Sequence, residues 1–295
     1  TYREQLVLKD GVTLIGKGRE DVVVEMPPSA GNVLVIKGCF SGGVHSITFR
    51  HAEAAESEGA VDPRAVVSVA NSNVDFDNCV VSNGVANGIR IDGAGHTKIR
   101  NCVIRNNRGS GIALFGKGMP EIVDNTIQDN DVSGIVLHES RSATVSGNVL
   151  KGNKLYGFWP DDKSSLDASN NAFTENALIN AFECRTMFGA KQFGKLAAVA
   201  ERVRRDKTRY AAGGWLLPYY YSFLSEGVRG MGPDQVKQRE ALIKEWETAY
   251  PDSITWRILL VNLYMGQAWK SRGSGFANTV SQEAWKGFRD SMQKA

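Results

Sequence analysis

The sequence lacks long apolar runs and has few of the residues that mark specialised protein classes. No apolar segment approaches the roughly 18 residues that span a bilayer, which excludes a membrane-spanning helix. The net charge is only +3, from 35 basic and 32 acidic residues, so nucleic acid is not expected as the main partner. Histidine and cysteine occur only four times each. No zinc spacing, phosphate loop or nucleophile elbow is present, and we expect neither a metal ion nor a cofactor.

What the sequence does contain is a repeat with a period of 23 residues. Residues 111–133 and 134–156 both begin Gly-Ile and share most of their apolar positions. Equivalent residues form columns that extend beyond these two copies without an insertion over about 100 residues. The columns are Gly88, Gly111, Gly134 and Gly157; Ile89, Ile112, Ile135 and Phe158; Phe76, Ile99, Ile122, Val145 and Ala168; Cys79, Cys102, Asn125, Asn148 and Asn171; and Val81, Ile104, Ile127, Leu150 and Phe173.

The pattern inside each copy predicts short β-strands. Apolar residues alternate over runs such as "GIRI", "GIAL" and "GIVL", and clusters of Gly, Asn, Asp and Ser separate the runs. Three strands and three turns fit in one copy, which cannot bury its apolar side alone and therefore stacks on its neighbours. Stacking places equivalent residues about 4.8 Å apart, so the columns become ladders, and asparagine ladders hydrogen-bond along the axis. The dense leucine pattern of a leucine-rich repeat is missing.

These Gly-Ile…Asn…Ile…Asn coils resemble the right-handed parallel β-helix of the pectate-lyase-like superfamily, in particular its carbohydrate-binding and sugar-hydrolase-type repeats. The resemblance covers roughly residues 1–180 and implies a β-solenoid of about seven coils. The opening "TYREQLVLKDGVTLIGKGREDVVVE" is similar to the first coils of such proteins. It begins in mid-pattern without Met, so we expect a fragment cut from a longer protein. Residues 51–65 are acidic and rich in alanine, which predicts an enlarged turn beside one face.

The four cysteines leave the cellular compartment open. Cys79 and Cys102 share one interior column, which allows a disulfide at the spacing of adjacent coils. Two buried thiols are the favoured alternative, because free cysteine is commonly buried. A start in mid-pattern also makes the missing signal peptide uninformative, and an exported or cell-surface location is compatible with the sequence.

From about residue 180 the apolar spacing becomes helical, which predicts four or five helices. The segment "PDQVKQREALIKEWETAYP" has the start and stop residues of a capped helix, and Thr279 or Ser281 is a candidate cap for the last helix. Residues 185–295 resemble an uncharacterised bacterial domain built of helical hairpins similar to tetratricopeptide repeats. The resemblance depends on Pro251–Ser253 and on the element Ala268, Trp269, Arg272, Gly273, Ser274 and Gly275. It implies an all-α fold and, by analogy, a protein partner.

Strand alternation then separates inward from outward side chains. If the Ile residues of the Gly-Ile runs point inward, one outward column contains Val67, Arg90, Ala113, Val136 and Trp159, and the next contains Val69, Asp92, Phe115, His138 and Asp161. In the resembled superfamily saccharides usually lie on this strand face, and rings beside polar groups suit a sugar. The alternative is an ordinary polar outer surface. The predicted ligand-binding residues are Arg90, Asp92, Phe115, His138, Trp159 and Asp161.

Catalysis fits this face less well. A glycosidase needs two carboxylic groups about 5 to 9.5 Å apart, whereas Asp92 and Asp161 are three coils, roughly 14 Å, apart. His138 and Asp161 are neighbours in one column and form the acid/base pair if the protein is an enzyme. No cluster of aspartates of the calcium-binding kind is present.

Residues 156–162, "YGFWPDD", are similar to the Tyr-Gly-x-Asp-Pro-His-Asp element of alginate C5-epimerases. Four positions agree: Tyr156, Gly157, Pro160 and Asp162. Trp159 and Asp161 stand at the catalytic Asp and His positions, and losing both groups would disable the transfer of a proton. The likeness is therefore interpreted as coincidence or as a remnant used for binding.

The sequence as a whole predicts a β-solenoid over residues 1–180 followed by an all-α domain over residues 185–295. The favoured function is a non-catalytic binding or scaffold module that recognises a carbohydrate or another polymer on the outward strands. Two alternatives stay open. One is a polysaccharide-active enzyme of the lyase, hydrolase or epimerase type, and the other is a protein-interaction module acting through the helical domain.

Overall fold

The structure, a computed structural model, describes residues 1–52, 65–138, 143–160, 166–176, 178–209, 214–274 and 279–295. Most of the predicted enlarged turn, residues 53–64, lies outside this description, as does Asp161. The chain forms two compact units, Thr1–Glu183 and Cys184–Ala295.

The first unit is a β-helix in which three parallel sheets run along the axis, and each sheet has seven strands in the described part of the chain. Sheet 1 contains β1 (Leu6–Leu8), β4 (Leu34–Lys37), β7 (Val67–Ala70), β10 (Ile89–Asp92), β13 (Ile112–Phe115), β16 (Ile135–His138) and β19 (Phe158–Pro160). Sheet 2 contains β2 (Thr13–Ile15), β5 (Gly43–His45), β8 (Asp75–Asp77), β11 (Lys98–Arg100), β14 (Glu121–Val123), β17 (Ala143–Ser146) and β20 (Leu166–Ser169). Sheet 3 contains β3 (Val23–Met26), β6 (Thr48–His51), β9 (Val80–Ser82), β12 (Val103–Arg105), β15 (Thr126–Gln128), β18 (Val149–Lys151) and β21 (Ala172–Thr174). A short 3₁₀ helix covers Pro28–Ala30.

The register of the strands confirms the predicted stacking. Ile89 pairs with Ile112, Ile112 with Ile135, and Ile135 with Phe158, all within sheet 1. Each of these side chains is fully buried. The equivalent residues of the other two sheets are buried as well, except Ala168, which is partly exposed. The interior of the coil is therefore the hydrophobic core, and burial of these columns stabilises the stack.

Two columns of turn residues explain why Gly, Asn and Asp separate the strands. Both columns adopt positive φ angles between 52° and 67°, a region in which Gly, Asn and Asp are favoured. The first column is Asn78, Asn101, Asp124, Gly147 and Asn170, and the second is Asn83, Asn106, Asp129, Gly152 and Glu175. The turns therefore repeat with the same period as the core.

The predicted asparagine ladder is present inside the coil. Asn125 donates its backbone N–H and its Nδ2 to Oδ1 of Asn148, both at 3.0 Å, and Asn148 does the same to Asn171. The two cysteines continue the ladder as buried free thiols, with the Cys79 N–H 3.4 Å from Sγ of Cys102.

A second ladder was missed by the sequence analysis. It contains Asn107, Asn130, Asn153 and Asn176, each bonded to the next through Oδ1. Its residues are spaced by the same 23 positions, so the repeat pattern could have predicted this ladder.

The assignment of Val67 and Val69 as outward residues is wrong. Val67 pairs with the inward Ile89 and is buried, and Ser68 instead pairs with the outward Arg90. The cause is the turn after β7, which has four residues where the turn after β10 has five. A period of 22 residues therefore relates β7 to β10, and a shift of one residue in a strand reverses every side chain.

The helical region contains six α-helices in its described part, more than the four or five predicted. They are α1 (Ala181–Gly189), α2 (Phe193–Asp206), α3 (Leu216–Leu224), α4 (Pro233–Ala249), α5 (Ile254–Arg272) and α6 (Gln282–Met292). α1 and α2 are separate helices because the chain turns at Lys191, where φ is 54°. Ser253 caps α5, and Ser281, one of the two candidates, caps α6. Among the described helices none is long and apolar enough to cross a membrane.

Candidate functional site

The outward face of sheet 1 brings five of the six predicted site residues together. Strand pairing places Asp92 beside Phe115 and Phe115 beside His138. The adjacent column continues from Arg90 through β13 and β16 to Trp159. We call the set Arg90, Asp92, Phe115, His138 and Trp159 the outward face. Asp161 lies outside the described residues, so its place in this set stays a prediction.

An internal ion pair occupies one end of the outward face. Arg90 donates from Nε to Oδ2 of Asp92 at 2.7 Å and from Nη2 to Oδ1 at 2.8 Å. Such a bidentate fork is the strong geometry for a guanidinium and a carboxylate. The same guanidinium lies 4.2 Å from the centre of the Phe115 ring, where a cation is attracted to the ring face. Arg90 is therefore held by two partners and its charge is matched by Asp92.

Phe115 lies between two neighbours and has little free ring face. On one side is the Arg90 guanidinium, from β10, and on the other is His138, from β16. The rings of Phe115 and His138 are stacked, with centroids 4.9 Å apart and an interplanar angle of 13°. A ligand in solution would therefore meet the edge of Phe115 and not its face.

Trp159 is the exposed aromatic residue of the outward face. It is 46% exposed on β19. Its contact with His138 is edge-to-face, with centroids 6.4 Å apart at 65°, and Tyr156 is tilted by 51° at 5.9 Å. In the described part of the chain no ring stacks parallel on the indole. Trp159 therefore offers a broad apolar surface beside the polar atoms of His138, a combination that suits an amphipathic ligand.

Tyr156 belongs beside this site, although the sequence analysis quoted it only within the epimerase-like element. It precedes β19 and contacts the Trp159 ring. Partial burial raises the pKa of its hydroxyl, and the nearby Glu183 raises it further. The signal that could have found it is its position three residues before Trp159 in "YGFW".

Polar and charged side chains on sheet 2 and in the turn before β11 pair with one another, which distinguishes that surface from the outward face. Arg100 lies 3.6 Å from Asp75, Lys98 lies 3.8 Å from Glu121, and His96 lies 2.7 Å from Glu121. These are exposed pairs of the kind that contributes little to stability. They form a solvated charged surface without exposed rings in the described strands.

Glu183 is a buried carboxyl at the end of sheet 1 that the sequence analysis did not identify. It is 1% exposed, and its Oε1 accepts the Phe158 N–H at 2.7 Å. In the preceding coil the equivalent N–H of Ile135 donates to the Gly157 carbonyl. Glu183 therefore replaces the carbonyl of a further coil and caps this edge.

Glu183 also takes part in the cap at the N-terminus of α1. The Glu183 N–H donates to Oδ1 of Asn180 at 2.9 Å, and the Asn180 N–H donates back to Oε2 at 3.3 Å. This reciprocal pair is a capping box, and the sequence signal was Asn180 followed three residues later by Glu183. Burial raises the pKa of Glu183 to about 8, against the opposing effect of hydrogen bonds from the Phe158, Asn180 and Gly157 backbone.

The described residues offer no group of three or more His, Cys, Asp or Glu side chains that could hold a metal ion. The outward side chains described on β10, β13, β16 and β19 include one carboxylate, Asp92. Both of its oxygens accept hydrogen bonds from Arg90. The pair of His138 with Asp161, proposed for the enzyme alternative, includes a residue outside the description.

Comparison with known proteins supports the fold. Residues 64–189 match the family model described as the right handed beta helix region, and the predicted right-handed parallel β-helix is confirmed. Among proteins with curated descriptions none matches the sequence. One similar solved structure is the A-module of the mannuronan C-5 epimerase AlgE6 from Azotobacter vinelandii, with 13% sequence identity and a TM-score of 0.31. The match covers 59% of this chain and 64% of that chain, less than two thirds of its length.

Proposed function

We propose that the protein is a non-catalytic module that binds a carbohydrate on the outward face of sheet 1. The observation that carries the proposal is the exposed Trp159 ring, held beside His138 on a strand that is paired in register with the rest of the sheet. An exposed ring with adjacent hydrogen-bonding groups suits a pyranose, which has an apolar face and a rim of hydroxyls. The stacked coils hold these groups rigidly, which lowers the entropic cost of binding.

The described outward side chains of sheet 1 favour binding over hydrolysis. Hydrolysis of a glycosidic bond needs two carboxylic groups across the bond. The described outward side chains of β10, β13, β16 and β19 include one, Asp92, and Arg90 already holds both of its oxygens. The enzyme alternative then depends on His138 with Asp161.

The test is calorimetric titration of a panel of hexasaccharides into the wild-type protein and two variants. Trp159→Ala should weaken binding by at least about tenfold, because the stacking surface is lost. Phe40→Ala is the matched control, since Phe40 is also an aromatic residue of the β-helix unit, is 75% exposed and lies in the turn between β4 and β5. Unchanged affinity in Trp159→Ala would contradict the proposal.

A turnover assay separates binding from catalysis. Chromatography of each saccharide after prolonged incubation should show no new product. Product that forms with the wild-type protein and disappears with His138→Ala would establish the enzyme alternative instead.

A further inference from the structure

We infer that the ligand of the outward face is a neutral saccharide and not a uronate; the inference rests on the proposed function and specifies its ligand class. It follows from the charges that surround the exposed ring. A uronate carries one carboxylate on each sugar, so a site that selects it supplies cations with free hydrogen-bond donors.

The charge of Arg90 is already matched. Nε and Nη2 of Arg90 donate to Asp92, and the guanidinium carbon lies 4.2 Å from the centre of the Phe115 ring. A guanidinium has five N–H donors, so others remain for a ligand. A sugar carboxylate bound by them would lie next to the Asp92 carboxylate, and the repulsion between the two negative charges would offset the attraction to Arg90.

No other cation in the described sheet compensates for this. Lys37 lies in the same column as Asp92, two strands away, which corresponds to about 10 Å. Trp159 lies three strands beyond β10, on the far side from Lys37. The described strands of sheet 1 therefore carry no lysine or arginine closer to the exposed ring than the paired Arg90.

The polar groups that do remain suit hydroxyls. His138 presents ring nitrogens, which can donate or accept according to the tautomer, and the Asp92 oxygens retain lone pairs beyond those used by Arg90. A neutral pyranose stacked on Trp159 uses the apolar ring surface without bringing a charge that needs a counter-ion. Selection between neutral and acidic sugars thus comes from the Arg90–Asp92 ion pair, in which the two charges match.

Matched pairs of hexasaccharides test this inference. Each pair has the same backbone with either CH₂OH or carboxylate at C6: β-1,4-glucan and β-1,4-glucuronan, and β-1,4-mannan and β-1,4-mannuronan. Calorimetry at pH 7.5 should show at least one neutral member that binds at least about tenfold more tightly than its uronate partner. A uronate that binds as tightly as its neutral partner, or more tightly, and is lost in Trp159→Ala would overturn the inference and leave the proposed function standing. Absence of binding by every member would overturn both.

The Asp92→Asn variant tests the stated cause. It removes the charge that neutralises Arg90 while it keeps the side chain's size and its hydrogen-bonding capacity. The ratio of uronate affinity to neutral-sugar affinity should rise roughly tenfold, because the charge of Arg90 is then unmatched and can pair with the ligand. The double variant Arg90→Gln/Asp92→Asn should lose the gain. If Asp92→Asn leaves the discrimination unchanged, the ion pair does not select the ligand and the inference fails.

Discussion

At the scale of single residues, Trp159 and Phe115 lie on the same face but have different surroundings. Trp159 is exposed, whereas Phe115 is enclosed by Arg90 and His138. Both were predicted as ligand-binding residues from their column positions, from their aromatic rings and from the resemblance to a superfamily in which saccharides lie on this strand face. Their different accessibility could not be predicted, because it depends on which side chains of adjacent coils stack on each ring.

This difference in exposure predicts that loss of the Trp159 ring weakens saccharide binding more than loss of the Phe115 ring. Trp159→Ala should weaken binding of the tightest hexasaccharide by at least about tenfold, whereas Phe115→Ala should weaken it by about threefold through altered positions of Arg90 and His138. Calorimetric titration of the two variants under identical conditions measures the ranking. A larger loss in Phe115→Ala would show that the Phe115 ring itself contacts the ligand.

Glu183 predicts a pH dependence of stability. Its folded pKa of about 8 lies above the ordinary value of 4.5, so the folded state binds more protons than the unfolded state between these pH values. Stability therefore falls as pH rises through this window, by up to about 1.4 kcal/mol per pH unit. Urea unfolding of the β-helix at pH 5, 7 and 9, followed by circular dichroism, measures the slope.

Glu183→Gln supplies the control for this dependence. The amide keeps an oxygen that can accept the Phe158 N–H but does not titrate, so the variant should lose the decline in stability between pH 5 and pH 8. A variant that declines as steeply as the wild type would assign the pH dependence to another group.

At the scale of elements, the asparagine ladder predicts a large cost for a small substitution. Oδ1 of the buried Asn148 accepts two hydrogen bonds from Asn125, and its Nδ2 donates to the Ile122 carbonyl at 2.9 Å. Asn148→Ala leaves these groups without partners inside the coil and should destabilise the β-helix by about 2 to 4 kcal/mol. Urea unfolding measures it, with Thr126→Ala on the outside of sheet 3 as a control that should cost far less. Equal losses would mean that the ladder adds nothing specific.

The strands and turns also show which features of the fold the 23-residue repeat predicts and which it does not. Columns such as Ile89 to Phe158 were predicted correctly, because a constant period carries both register and burial. The inward position of Val67 was not, since one residue fewer in the turn after β7 reverses a strand without altering its composition. Tertiary contacts also escaped prediction: the fork between Arg90 and Asp92 and the cap made by Glu183 depend on side-chain conformation.

At the scale of the whole molecule, the division into Thr1–Glu183 and Cys184–Ala295 predicts how a ligand acts on stability. Domains generally unfold as separate cooperative units. Differential scanning calorimetry should therefore resolve two transitions, and a hexasaccharide at 100 times its Kd should stabilise the β-helix transition by about 2.7 kcal/mol. Trp159→Ala should abolish that shift. A ligand that shifts the helical transition alone would place recognition in Cys184–Ala295, as the protein-interaction alternative expects.

The most direct measurement is a crystal structure of the chain with a bound neutral hexasaccharide. The account predicts a pyranose ring lying on the Trp159 indole, with sugar hydroxyls within hydrogen-bond distance of His138 or Asp92 and with the Arg90–Asp92 fork intact. A saccharide bound on sheet 2, on sheet 3 or on the helices, with the Trp159 ring left uncovered, would contradict it.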